Sequence, residues 1–181
     1  MLPHKSRHYL LQGLTGTPDV VDQLLRGASR DMLDRRPDPA RFTLREVVCH
    51  LADWEGVWLE RLSAMRTRDN PALQGYDEGQ WALDHDYAHA DMAEQQARFR
   101  AGRAELMALL ESLAPEEWER AGCHSEIGPV TIESLAVLVL GHDGYHTRQI
   151  AQWIAGGQRS APRTGIGAQR GAWPVESPGF S

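Results

Sequence analysis

The segment from Thr131 to Ala155 constrains this chain most, because a helix there would bury polar groups where a core needs hydrocarbon. At about 100° per residue, His142 and His146 fall one turn apart, on the same side as Leu135, Leu138, Val139 and Trp153. Gln149 continues the ridge of the two histidines. Burying such groups unpaired costs roughly 1–3 kcal/mol each. The pattern predicts a partner that satisfies both rings, and for histidines at i, i+4 the simplest one is a shared divalent metal ion. The competing reading is a pair of core histidines hydrogen-bonded to Gln149 or Asp53.

Two histidines leave a metal under-coordinated, so a third ligand must come from another element. His50 is the best candidate, on the inner edge of a second helical stripe and one turn before Trp54. Three neutral imidazoles would leave coordination positions open for water or substrate, as in a catalytic rather than a structural site. Cys49 precedes His50 but points about 100° away on a helix, so it is not expected to ligate. A second HxxxH pair, His85 and His89, sits among Asp84, Asp86 and Asp91 with little apolar company and is expected to be solvated. His4, His8 and His124 are expected at the surface. Asp53, Glu55 and Gln149 are candidates for orienting the ligand imidazoles, and Trp54 for lining a pocket over the metal. No residue stands out as the catalytic acid or base.

Taken in order, Thr17-Pro18-Asp19 predicts a helix start, with a stripe from Val20 to Met32 that must end before Pro37. Thr43 and Glu46 form a capping box that opens a second helix running to about Arg66. Residues 67–84 are expected to be a long loop with one helical turn around Trp81. A third helix is expected from about Asp86 to Leu113, with a heptad seam of Met92, Phe99, Leu106 and Leu113 and a surface Glu94–Arg98 pair. A short turn follows at Pro115–Trp118, then a loop from Gly122 to Pro129. Thr131 caps the fourth helix, and Gly156-Gly157 ends it. No strand is predicted. The expectation is an all-α four-helix bundle with one long crossover loop over residues 1–157, followed by an irregular tail over 158–181 carrying Trp173 and Phe180.

Composition sets outer limits. A chain of 181 residues with formal net charge −6 is long enough for one real core and is unsuited to non-specific nucleic-acid binding. The apolar run Leu135–Leu140 is far short of the ~18 residues that would span a bilayer. The N-terminus lacks the pattern of a signal peptide, and two isolated cysteines, Cys49 and Cys123, form no disulfide framework. A cytoplasmic protein with reduced thiols is expected.

The segment His50-Leu51-Ala52-Asp53-Trp54-Glu55 and the closing Gly141-His142-Asp143-Gly144-Tyr145-His146-Thr147-Arg148-Gln149-Ile150 together resemble the DinB-like (DinB/YfiT-like) superfamily of metal-binding four-helix bundles. The resemblance covers roughly residues 15–156. It implies a bundle, often a homodimer, with one divalent metal held by His50, His142 and His146. Relatives include thiol S-transferases that use a low-molecular-weight thiol. The implied activity is therefore a metal-dependent transferase or hydrolase acting on a small molecule. Zinc suits three imidazoles best, with nickel, iron, cobalt and manganese as alternatives. A protein that only sequesters a metal, or a purely structural dimeric bundle, is the reading from a different class.

Overall fold

A computed structural model describes residues 2–159. The tail expected beyond residue 158, with Ile166, Trp173, Val175 and Phe180, lies outside the described residues, apart from its first two positions. Four long helices form the body: α1 (His4–Leu25), α3 (Leu44–Thr67), α5 (Met92–Glu111) and α6 (Ile132–Arg159). Two short helices, α2 (Arg30–Asp34) and α4 (Glu78–Asp84), lie in the connections. Around the bundle, α1 packs on α5 and α6, and α3 packs on the same two.

The contacts fix the helix directions. Asp53 meets Arg98, Glu55 meets Arg103, and Arg66 meets Ser112, so α3 and α5 run parallel. Phe42 meets Gln149 and Trp153 while His50 meets His142, so α3 and α6 run antiparallel. Parallel neighbours need a long connection, which the crossover over residues 68–91 provides.

The capping box at Thr43 forms as expected, with the Thr43 hydroxyl accepting from the Glu46 amide and Glu46 Oε2 accepting from the Thr43 amide at 2.8 Å. The first helix differs from expectation. Thr17-Pro18-Asp19 does not start it; α1 begins at His4 and carries Pro18 inside. A helix interior tolerates proline poorly because its ring leaves the i−4 carbonyl, here that of Leu14, without a donor. Arg103 supplies the missing donor from α5, at 2.6 Å. The stripe predicted through to Met32 is broken at residues 26–29, where Ser29 caps the separate helix α2.

The third helix starts at Met92 with Asp91 as its cap, not at Asp86. Asp86 instead adopts a left-handed conformation (φ 48°) and introduces a single turn of tight helix at Tyr87–His89. Arg98 bonds Gln95 and Asp53 rather than the expected Glu94. The seam holds, with Phe99, Leu106 and Leu113 buried.

Three short strands also appear where none was expected: β1 (Ala72–Leu73), β2 (Ala121–His124) and β3 (Gly128–Thr131). β1 pairs parallel with β2, and β2 antiparallel with β3, which ties the crossover to the segment entering α6. Gly128, at φ 76°, makes the turn between β2 and β3. No helix among the described residues is long and apolar enough to cross a membrane.

Candidate metal centre

His50 on α3 and His142 and His146 on α6 converge at the seam between the two helices. One ring nitrogen from each lies within 4.8 Å of the others. His50 Nε2 faces His142 Nε2 at 2.8 Å, and the His146 ring centroid is 4.7 Å from that of His50 and 4.6 Å from that of His142. His50 is fully buried and His146 nearly so, while His142 keeps partial exposure. The antiparallel pairing of α3 and α6 brings these rings together; neither helix alone carries more than two of them.

Burial in an aromatic shell keeps His50 and His146 neutral. Trp54 packs on His50 with centroids 4.1 Å apart, and Phe42 lies 5.3 Å from the same ring. Trp58 meets His142 edge-on at 5.7 Å, and Tyr145 meets His146 at 5.0 Å. Burial, together with the neighbouring imidazoles, holds His50 well below the usual histidine range. Burial and His142 lower His146 to about 3, against a smaller opposing contact from Gln149. Neutral imidazole is the form that a divalent cation requires.

Ordinary hydrogen bonding does not account for the cluster. The Nε2–Nε2 contact uses one proton between two rings. Nδ1 of His50, His142 and His146 is buried with no hydrogen-bond partner among the described residues. Three converging nitrogens fit a small divalent ion. At about 2.0–2.1 Å per bond in tetrahedral geometry the nitrogens would sit about 3.3 Å apart, so His50 and His142 need part by only about half an ångström. The donor set is nitrogen only, which suits zinc or a later transition metal better than magnesium or calcium.

The expected supporting residues divide. Gln149 is buried and donates to the Phe42 carbonyl at 2.9 Å, where Trp153 Nε1 also donates. Trp54 is buried against His50. Asp53 does not reach a histidine. Its carboxylate accepts from Trp81 Nε1 and the Tyr87 hydroxyl, each at 2.9 Å, and from Arg98 at 2.6 Å, which fastens the crossover to α3. Leu138, expected on the histidine side, is 40% exposed beside Val137. His85 stacks on Trp81 and His89 pairs with Asp86 at 2.6 Å; both are exposed, and the left-handed turn at Asp86 keeps them off a common helix. His124, expected at the surface, is buried. Burial and the Arg45 and Arg98 charges act against each other at Cys49, which with Asp53 nearby is pushed up to about 12.

Of the polar network behind the site only Glu55 is singled out by the sequence, and its carboxylate accepts from Arg103. Arg103, almost fully buried, donates to Glu55 (3.0 Å from Nε), to Asp143 at 2.6 Å and to the Leu14 carbonyl. Gly102 allows this, because a Cβ there would lie 2.6 Å from Cβ of Glu55. Asp143 Oδ1 lies 4.0 Å from His142 Nδ1. Burial alone would raise the Asp143 carboxyl, but the His142 ring and the Arg103 guanidinium outweigh it and hold the group low. Asp143 is thus the carboxylate closest to orienting a site histidine. On α4, Glu78 is exposed as a whole residue, yet crowding around its carboxyl disfavours ionisation.

Comparisons with known proteins bear on the fold and the family. A provisionally named metal-dependent hydrolase from Oceanobacillus iheyensis is 27% identical over 133 residues, covering 74% of this chain and 77% of its own. YfiT of Bacillus subtilis, provisionally named in the same way, is 27% identical over 143 residues, covering 78% and 80%. The solved structure of YfiT, described as an unusual four-helix bundle, superposes with a TM-score of 0.82 over 87% of this chain and 91% of that one, at 24% identity. A DinB-like protein from Bacillus subtilis superposes at 0.57 over 90% and 99%, at 14% identity. The profile of the DinB superfamily matches residues 14–150, which include all three histidines and the Arg103 network, and the chain belongs to that superfamily.

Proposed function

We propose that His50, His142 and His146 bind one divalent metal ion, zinc in the first instance, and that the protein is a metal-dependent enzyme. Its substrate is a small molecule, attacked by a water or a low-molecular-weight thiol activated at the site. The observation that carries this is the meeting of three imidazoles from two helices, two of them buried and held neutral, whose Nδ1 atoms have no hydrogen-bond partner among the described residues. A metal held there supplies Lewis acidity, lowering the pKa of a bound water or thiol toward neutrality.

The chain's own residues set the conditions. His50 and His146 present lone pairs without first shedding protons, because burial already keeps them neutral. Phe42, Trp54 and Trp58 wall the inner side with apolar surface and keep bulk water from it. Only His142 is partly exposed, so the nucleophile and substrate approach from its side. The provisional naming of the relatives as metal-dependent hydrolases supports the water reading.

The test starts with metal analysis of tag-free protein, wild type and His146→Ala. The expected result is about one ion per chain in the first and near none in the second. Equal metal in both would overturn the three-histidine site. Zinc-loaded protein then enters parallel screens for ester and amide hydrolysis and for conjugation of several low-molecular-weight thiols. Turnover that disappears with His146→Ala supports the enzyme; full metal loading with silence in both screens assigns the protein to metal sequestration instead.

A further inference from the structure

Among the described residues two arginines are buried, Arg61 and Arg103, and they are treated differently. Arg103 faces two carboxylates and a carbonyl. Arg61 on α3 is only 7% exposed, yet among the described residues its guanidinium makes a single hydrogen bond, from Nη2 to the Gln74 carbonyl at 2.5 Å, and its Nε has no partner. No carboxylate forms an ion pair with it among the described residues; Glu60 and Glu126 lie near enough to feel its charge but not to pair. A buried cation is normally matched by an anion, and a guanidinium offers a planar fork of donors suited to a carboxylate.

The place of Arg61 relates it to the histidines. Its guanidinium lies 5.1 Å from the centroid of the Trp58 ring and 5.7 Å from that of Tyr76. The same Trp58 ring meets His142 edge-on at 5.7 Å. One indole therefore separates the unmatched cation from the partly exposed histidine. His124, the other buried polar side chain near Arg61, is held low by burial and by the Arg61 charge, so it stays neutral beside it. The crossover residues Gln74 and Tyr76 close over the arginine, and β1 and β2 hold that segment in place.

We infer that Arg61 is the anchor for a carboxylate carried by the small-molecule substrate or by its thiol co-substrate, bound against Trp58 and beside His142. This rests on the metal-site reading for its functional meaning, but the anion subsite is a property of Arg61 itself. The ligand class it selects is an acidic small molecule whose carboxylate lies several bonds from the reacting atom. Neutral analogues of the same shape lack the anchor.

The experiment uses the full chain loaded with cobalt, whose thiolate charge-transfer band reports thiol binding at the histidines. 6-Mercaptohexanoate, whose carboxylate lies several bonds from its thiol, and the neutral 6-mercaptohexanol are titrated into wild type, Arg61→Met and Arg61→Lys. The expected result is a preference for the acidic thiol in wild type that falls at least about tenfold in Arg61→Met and is partly restored in Arg61→Lys. A charge-transfer band with the same preference in Arg61→Met overturns the inference and leaves the metal site standing. No band with either thiol counts against the thiol reading alone. Succinate titrated into metal-free protein, followed by tryptophan fluorescence, then decides: saturable binding kept in His146→Ala and lost in Arg61→Met supports the subsite, and binding that is absent or equal in Arg61→Met sinks it. Thermal melting guards against misfolding, with Arg61→Met expected to melt no lower than wild type because the unmatched charge is gone.

Discussion

Arg103 donates to the carbonyl of Leu14 at 2.6 Å, the acceptor that Pro18 leaves without its intrahelical donor. A proline that would otherwise weaken α1 is thus tolerated because a second helix completes its hydrogen bonding. The same guanidinium neutralises Glu55 and Asp143, so one side chain joins α1, α3, α5 and α6 directly behind the histidines.

Removing that side chain should be among the most damaging single changes in the protein. Arg103→Met leaves two buried carboxylates facing each other and a carbonyl unpaired. Breaking a buried ion network from one side costs about 3–5 kcal/mol. Urea unfolding should show a matching fall in stability with little change in slope. A loss below about 1 kcal/mol would mean that water replaces the guanidinium and that the network is not structural.

Gly102→Ala tests the close approach that makes the network possible. The new methyl would sit 2.6 Å from Cβ of Glu55, an atom fixed by its own backbone, so no rotamer change relieves the clash. α5 must move away from α3, at an expected loss of about 1–3 kcal/mol. The check is the shift in urea midpoint against Gly56→Ala, where an added Cβ meets nothing within 4 Å. Equal effects of the two substitutions would refute the packing argument.

The histidine pair was legible because its chemistry breaks the apolar period of α6, and periodicity is what a sequence shows best. The capping box at Thr43 and the Phe99–Leu106–Leu113 seam were legible for the same local reason. What failed depended on partners distant in sequence. Thr17-Pro18-Asp19 looks like a helix start unless one knows that Arg103, 89 positions beyond Leu14, completes the turn. β1 pairs with β2 across about fifty residues and has only two residues of its own, too few for an alternating pattern. Nothing local in the sequence pairs Arg103 with Asp143; only the bundle brings them together. A glycine beside an arginine in an otherwise strong helix, as at Gly102-Arg103, was the available hint of a close helix contact.

Asp53 separates fold from site. Its carboxylate accepts from Trp81, Tyr87 and Arg98 and touches no histidine, so its work is to hold the crossover on α3. Asp53→Ala leaves Tyr87 buried with an unmatched hydroxyl and should lower stability by about 1–3 kcal/mol. Metal content per folded chain should stay at the wild-type value. Loss of metal in this variant, at a temperature where circular dichroism shows the fold intact, would place Asp53 in the metal site after all.

Acid should destabilise the metal-free protein through its histidines. In the unfolded chain these groups titrate near 6.5. In the folded chain burial holds His146 to about 3 and His50 well below its ordinary value. Between those limits the unfolded state binds more protons, so stability rises with pH and is lost as pH falls from about 6.5 toward 3. Each ring contributes a slope of up to about 1.4 kcal/mol per pH unit in that window and none above it. Carboxylates such as Asp143 add their own loss at lower pH, so the informative quantity is the difference from His146→Leu. That variant should lose less stability between pH 6.5 and 4.5 than wild type, measured by urea unfolding in the presence of a chelator. A wild-type curve parallel to the variant's across this range would mean that His146 takes up its proton in the folded state, and that the cluster is open to water rather than sealed in its aromatic shell.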